Sequence, residues 1–388
     1  MKILALGGCG QQGSLAVSKL IGAADVDEVV VADINIEAAR AFEKRIDSRK
    51  IKILQLDITN EPALLKAMHD VDVVANFVGP FFRFAEPVVN AAIKSKTNYV
   101  DICDDAAPTL HLLDHYQEAA RDASVTILLG MGASPGVANM IVRKLADQND
   151  SIDEAAIHWS VSANDIDSDL SADLSNVAIY EHAIELIAAN AVQFLDGHYT
   201  DLEGGTDLEE VTFRNLGPQS VYYVSHPEPV TIPRYIQLNK VVNKGCVPGL
   251  DEVLFALRDF ALTSHDLVVV KGVEMQAVDL GVAILARLDQ VSDPIPESEL
   301  PVCSDIFVVV AGTRAAQKRV TRVDIVTSEG LPRMDHITGS GAAVGILMMG
   351  RGQIVDRGVY APEGCVSPTT FFTELEGFGI FLDESEIA

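Results

Sequence analysis

Positive charge is what this sequence has least of: 29 lysine and arginine residues face 56 aspartate and glutamate residues in 388, a formal net charge of −27 at pH 7. Nucleic-acid binding needs a basic face that displaces counterions from phosphate, and this balance excludes it. Cysteine is sparse. Cys9, Cys103, Cys246, Cys303 and Cys365 include no CxxC pair, and an odd number at such spacing does not describe a disulfide framework, so reduced thiols and a cytoplasmic location are expected. Long apolar runs are missing as well. The longest, the small-residue stretch 341–350, falls short of the roughly 18 residues that cross a bilayer. The opening run Met1–Leu6 breaks at Gly7, too early for a signal peptide. A soluble protein without a membrane partner is expected. What is present, 48% hydrophobic and 22% charged residues, suits a globular protein with a full core, and the length points to two domains.

Residues 1–132 alternate apolar runs at Ile3–Leu6, Glu28–Ala32, Ile51–Leu56, Val71–Phe77, Tyr99–Ile102 and Val125–Leu129 with helical patterns starting near Gln11, Ile36, Glu61, Ala85 and Ala107. Strands separated by helices at this spacing imply right-handed crossovers and a doubly wound parallel sheet, the α/β Rossmann architecture. Over residues 133–340 the strands lengthen and alternate apolar with polar residues, as in Glu154–Ser162, Val221–Val224, Asp266–Val273, Phe307–Gly312 and Arg319–Thr327, with one long helical stretch over Val177–Phe194. This pattern predicts a second, α+β domain built on a mostly antiparallel sheet. The segment 341–388 starts as a helix and is expected to return to the first domain. An exposed edge strand and apolar face in the second domain predict a homodimer. The acidic stretch Asp165–Asp169 lacks the glycine and glutamate of a calcium loop and reads as solvated; no metal site is expected.

The sharpest signal is Gly8-Cys9-Gly10-Gln11-Gln12-Gly13, a GxGxxG placed directly after a strand and at the start of a helix. Its first glycine makes the tight turn, its second admits a pyrophosphate to the backbone, and its third lets helix and strand pack closely. Asp33 follows 20 residues after Gly13, where a carboxylate accepts both ribose hydroxyls and repels a 2′-phosphate. With Ile34 and Asn35 next in line, NAD is favoured over NADP. Asp57, at the end of the third strand, reads either as a contact to the adenine edge or as a helix cap. Asn76, Gly79 and Pro80, at the end of the fourth, read as wall around the second ribose and nicotinamide.

In order along the chain, Gly7–Gly13, Asn76–Phe81, Tyr99-Val100-Asp101, Gly130–Gly136, His226–Arg234 and Gly358–Glu363 resemble the saccharopine dehydrogenase (glutamate-forming) and lysine 6-dehydrogenase family. The resemblance implies an NAD(P)-dependent oxidoreductase acting on the CH–NH group of an amino acid through an imine. Within the family the resemblance points to a lysine 6-dehydrogenase-like or saccharopine dehydrogenase-like enzyme; a carboxynorspermidine dehydrogenase-like polyamine enzyme, or a dinucleotide-binding sensor without turnover, is the alternative. The family position Asp101 becomes a candidate to hold a substrate ammonium or relay its proton, with a helix cap as the bland alternative. His226 is a second candidate proton carrier, with Glu228 beside it, although a lone histidine is more often a packed residue. Arg234 in its apolar, proline-bounded stretch is a candidate for a substrate carboxylate, or an ion pair with one of the many acids. Ser134–Asn139 opens a helix whose N–H groups, with Asn139, are expected to face a carboxylate or carboxamide.

Overall fold

The computed structural model describes residues 1–161, 177–188, 190–291, 303–328 and 330–387; the acidic stretch Asp165–Asp169 lies outside them. The chain begins β1 (Lys2–Leu6), α1 (Gln11–Gly22), β2 (Glu28–Asp33), α2 (Ile36–Ile46), β3 (Ile51–Gln55), α3 (Glu61–Met68), β4 (Val73–Asn76) and α4 (Phe81–Ser95). It continues through β5 (Asn98–Asp101), α5 (Ala106–His115), α6 (Gln117–Asp122), β6 (Thr126–Leu128) and α7 (Val137–Gln148). Strand alternation splits the side chains of β1 between two layers. Ile3 and Ala5 join a core with α1 and α7, whereas Leu4 and Leu6 join another with α3, α4 and α5.

The second part runs β7 (Ser151–Ser160), α8 (Val177–Ala188), β8 (Asn190–Leu195), β9 (His198–Glu203), β10 (Glu209–Phe213), β11 (Gly217–Tyr223), α9 (Glu228–Tyr235) and β12 (Lys240–Cys246). Then come α10 (Asp251–Asp259), β13 (Leu267–Val270), β14 (Val273–Gln276), α11 (Ala277–Val291), β15 (Asp305–Arg314) and β16 (Gln317–Thr327). The chain closes with α12 (Met334–Gly350), β17 (Gly358–Tyr360), α13 (Pro362–Cys365), α14 (Pro368–Glu376) and β18 (Ile380–Ile387).

The first sheet is parallel throughout, in the order β17-β6-β5-β4-β1-β2-β3. The order reverses at β1, the switch point where open α/β sheets bind ligands beyond their strand ends. The second sheet runs β10-β11-β12-β7-β15-β16-β18, with β8 and β9 attached through β12. It is antiparallel except for β12 and β7, whose parallel register sets Asn243 opposite Ile157 and Gly245 opposite Trp159. Of the final segment, β17 extends the first sheet and β18 the second. Helix α12 is buried on nearly every side, and small residues make this possible: a Cβ on Gly339 would come within 2.7 Å of Leu15 on α1.

Two expectations change in the second part. The helical stretch over Val177–Phe194 ends at Ala188 and gives way to β8, where Gln193 points inward. The segment Asp266–Val273 leaves the main sheet and forms, with β14, a separate two-stranded hairpin whose Leu267, Val269 and Val273 are exposed. Among the described residues no helix is long and apolar enough to cross a membrane, no group of metal-binding side chains occurs, and none of the five cysteines forms a disulfide.

Candidate active site

The glycine turn between β1 and α1 is packed so closely that side chains are excluded. A Cβ on Gly13 would lie 2.5 Å from Gly7 O, and one on Gly8 2.8 Å from the Ala5 Cβ, whereas Gly10 would meet nothing nearer than 3.3 Å. Gly8 and Gly13 are therefore packing glycines and Gly10 leaves the outer side of the turn open to a ligand. Helix α1 has no side-chain cap, so its positive end is directed to whatever the turn holds. Gln11 and Gln12 line the adjoining cleft, and Gln12 Oε1 is a buried acceptor without a partner. This uncapped helix start, the glycine cradle and the acid at the end of β2 fit a dinucleotide. Asp33 accepts hydrogen bonds from Asn35 N at 2.9 Å and from the Cys9 thiol at 3.0 Å. Asp57 is fully exposed and folded onto its own turn, accepting from Thr59 N and Oγ1; the cap of α3 is Asn60 instead.

A cleft of about 310 Å³ separates the glycine turn from the second sheet. Gln11, Gln12 and Gly79 line one side, Trp159, His226 and Val247 the other, with Ser134 and Asp104 between them. Pro80 faces a neighbouring recess. His226 Nδ1 is 2.9 Å from Glu228 Oε2, and Ser134 Oγ donates to Glu228 Oε1. Asn243 Nδ2 stands 3.4 Å from Ser134 Oγ; its Oδ1 accepts from Trp159 Nε1 at 2.8 Å, and its backbone N donates to Gln193 Oε1 at 2.8 Å. The Trp159 ring leans on the imidazole with centroids 5.6 Å apart. Burial alone would raise the Glu228 carboxyl, but His226 and the hydrogen bonds from His226 and Ser134 outweigh it and hold the carboxyl below its usual range. The site therefore presents an imidazole whose Nδ1 is tied to a buried carboxylate, leaving Nε2 for the cleft.

Other expected site residues lie elsewhere. Asp101 is beneath the cleft, 1% exposed, and in place of a substrate ammonium it accepts Tyr99 OH at 2.8 Å, Gly130 N at 2.7 Å and Cys103 N at 3.1 Å. Burial pushes its carboxyl up to about 6 against the opposing pull of these donors. Asn76 belongs to the same buried network, donating to Tyr99 OH at 2.9 Å. Arg234 is on the outer side of α9, paired with Asp114 at 2.8 Å, and does not line the cleft. The start of α7 is closed to anions because its first N–H groups, on Val137 and Ala138, donate to Gly132 O and Ala133 O, each at 3.0 Å. Asn139 is buried: its Oδ1 accepts Gly136 N at 2.9 Å, and its amide donates to Thr231 Oγ1 at 3.2 Å and Glu363 Oε2 at 3.0 Å.

Sequence reasoning did not single out Ser134, Trp159, Asn243, Gln193 or Glu363 as a group. Asn243, polar and next to Val241-Val242, carried a signal, as did Glu363 at the end of the Gly358–Glu363 motif. Glu363 is wholly buried with Oε1 unpartnered; burial, aided by the nearby Glu228 charge, pushes its carboxyl up to about 7. Between its ordinary value of 4.5 and about 7 the folded chain holds a proton that the unfolded chain has released, so stability falls as pH rises through that window and levels off above it. Glu363→Gln is expected to flatten the decline of Tm between pH 5 and 7.5, the full penalty being roughly 3 kcal/mol. Parallel Tm curves for the two proteins would contradict this assignment.

Residues 3–128 match the family described as the saccharopine dehydrogenase NADP-binding domain. Over 366 residues, 87% of this chain and 82% of the relative, the sequence is 22% identical to carboxynorspermidine synthase of Vibrio alginolyticus. It is 33% identical over 98 residues to a saccharopine dehydrogenase-like oxidoreductase of Rattus norvegicus, a match spanning 25% of this chain and 22% of that protein. The saccharopine dehydrogenase (L-Glu forming) structure from Saccharomyces cerevisiae superposes with a TM-score of 0.70 at 18% identity, covering 100% of both chains. Residues 3–128 therefore form a saccharopine dehydrogenase NADP-binding domain, and the chain as a whole has the fold of saccharopine dehydrogenase.

Proposed function

We propose that this protein is an NAD-dependent oxidoreductase acting on the CH–NH group of an amino acid or a related amine, through an imine. The observation that carries the reading is the His226–Glu228 pair, set across one cleft from Gln11 and Gln12 of the glycine turn. When bound, the dinucleotide supplies the hydride acceptor. The remaining work is the chain's own. Forming the imine requires a proton to leave nitrogen as hydride leaves carbon, and His226 Nε2 takes that proton while Glu228 stabilises the resulting imidazolium. Ser134 holds Glu228 in place, and Asn243 Nδ2, 3.4 Å from Ser134 Oγ, holds that hydroxyl. Preference for NAD is supported by Asp33 at the ribose position and by Arg40, the next basic residue, which is turned to Glu37 at 3.3 Å.

The lining favours one substrate branch. The cleft shares Gly79, Phe81 and Asp104 with a recess that shares Phe82, Asp105 and Glu185 with a second, and no lysine or arginine lines any of the three among the described residues. An acidic wall suits an amine with a further cationic group, which supports a polyamine-type substrate such as the relatives' carboxynorspermidine over the tricarboxylate saccharopine. The test is a matrix of NAD and NADP against lysine, saccharopine, ornithine, diaminopimelate and carboxynorspermidine, followed as reduced coenzyme. Turnover with an amine substrate and NAD is expected; no turnover across the panel would overturn the reading. The hairpin β13–β14, marginal alone in water and open at both edges, supports a homodimer in which two copies pair there. A monomer by light scattering would remove it.

A further inference from the structure

Asp33 is gripped from two sides. Asn35 N, on the turn that follows β2, donates to Oδ1 at 2.9 Å, and the thiol of Cys9, in the middle of the glycine turn, donates to Oδ2 at 3.0 Å. We infer that Cys9 is a positioning residue for coenzyme selection: its hydrogen bond to Asp33 holds the carboxylate in the orientation that accepts a ribose diol and repels a 2′-phosphate. The inference rests on the dinucleotide reading of the glycine turn. A half-exposed carboxylate with one donor is free to turn about its own axis, and a second donor on the other oxygen fixes the plane of the group.

The thiol is well suited to this task. Burial first, then the hydrogen bond and charge of Asp33, push it up to about 12, so it remains an S–H donor throughout the neutral range. Being neutral, it leaves the Asp33 charge intact, where a basic side chain would cancel the repulsion of a phosphate. Being a weak donor, it leaves the oxygen's other lone pair for a ribose hydroxyl. Cys9 also sits between Gly8 and Gly10, so one residue joins the turn that receives the pyrophosphate to the acid that reads the ribose.

Titration of NADH and NADPH into wild type, Cys9→Ala and Cys9→Ser, followed by coenzyme fluorescence, tests the inference. Cys9→Ala is expected to weaken NADH about five- to tenfold, the loss of one hydrogen bond to a charged group, with NADPH little changed. Cys9→Ser, which keeps a donor, is expected to recover most of the selectivity. Unchanged selectivity in Cys9→Ala, or parallel loss of NADH and NADPH, would reduce Cys9 to a packing residue. Should Cys9→Ala fail to fold, Asp33→Asn gives a second reading: removing the charge is expected to speed alkylation of Cys9 at pH 9, and an unchanged rate overturns the proposed bond. A wild type that binds neither coenzyme would sink the dinucleotide reading itself.

Discussion

Replacing His226 by alanine is expected to lower kcat by about 10²–10⁴-fold, the range supplied by a positioned proton carrier. Dinucleotide affinity should change little, because the turn at Gly8–Gly13 and Asp33 lie at strand ends of the first sheet, whereas His226 comes from the second part of the chain and is held by Glu228. Glu228→Gln should follow in the same direction, since it keeps the shape of the side chain and removes the charge that stabilises the imidazolium. The measurement is steady-state turnover together with coenzyme titration on the same preparation. Wild-type kcat in His226→Ala would assign the proton to another group and leave the cleft with a different chemistry.

Asp101→Ala is expected to produce the largest stability loss, roughly 3 kcal/mol or more. The reason is the number of donors left behind: Tyr99 OH, Gly130 N and Cys103 N all lose their acceptor inside the core. Gly130 N and Cys103 N belong to the chain leaving β5 and β6, so their release also loosens the segment that carries Ser134 into the cleft. Asp101→Asn should be intermediate, because its amide keeps one acceptor and presents an N–H group to donors. Thermal and urea denaturation at pH 7 decide it. An Asp101→Ala protein with wild-type stability and lost turnover would return Asp101 to the chemistry.

The contrast between His226 and Asp101 shows how far the sequence could be read. Both are ionisable residues at family motifs, and Asp101 had the stronger claim by its place at a strand end. Both are buried, and what separates them is their surroundings: the Asp101 oxygens are taken by protein donors, whereas His226 lines the cleft. Asp101 is enclosed by the crossing of β5, β6 and their loops, whereas His226 is delivered to the cleft by a turn from the second sheet. Arg234 and Asn139 were displaced for the same kind of reason. An acid at position 114, far along the chain, takes the guanidinium, and Glu363, farther still, takes the amide.

The first sheet and its coenzyme turn were legible because each βα unit is contiguous. Strand and helix periodicities arise from backbone geometry within a few residues, and the demands on Gly8 and Gly13 are met inside the same turn. Even there, the bond from Cys9 to Asp33 appears only when two strand ends are laid side by side. The cluster around His226 and Glu228 draws on positions 134, 159, 193, 226, 228 and 243, which meet because β12 lies parallel to β7 and β8 attaches beside it. No local pattern encodes that meeting. Hydrogen-bond partners and burial are properties of distant segments brought together, so which of the candidate side chains line the cleft was decided by packing and not by chain order.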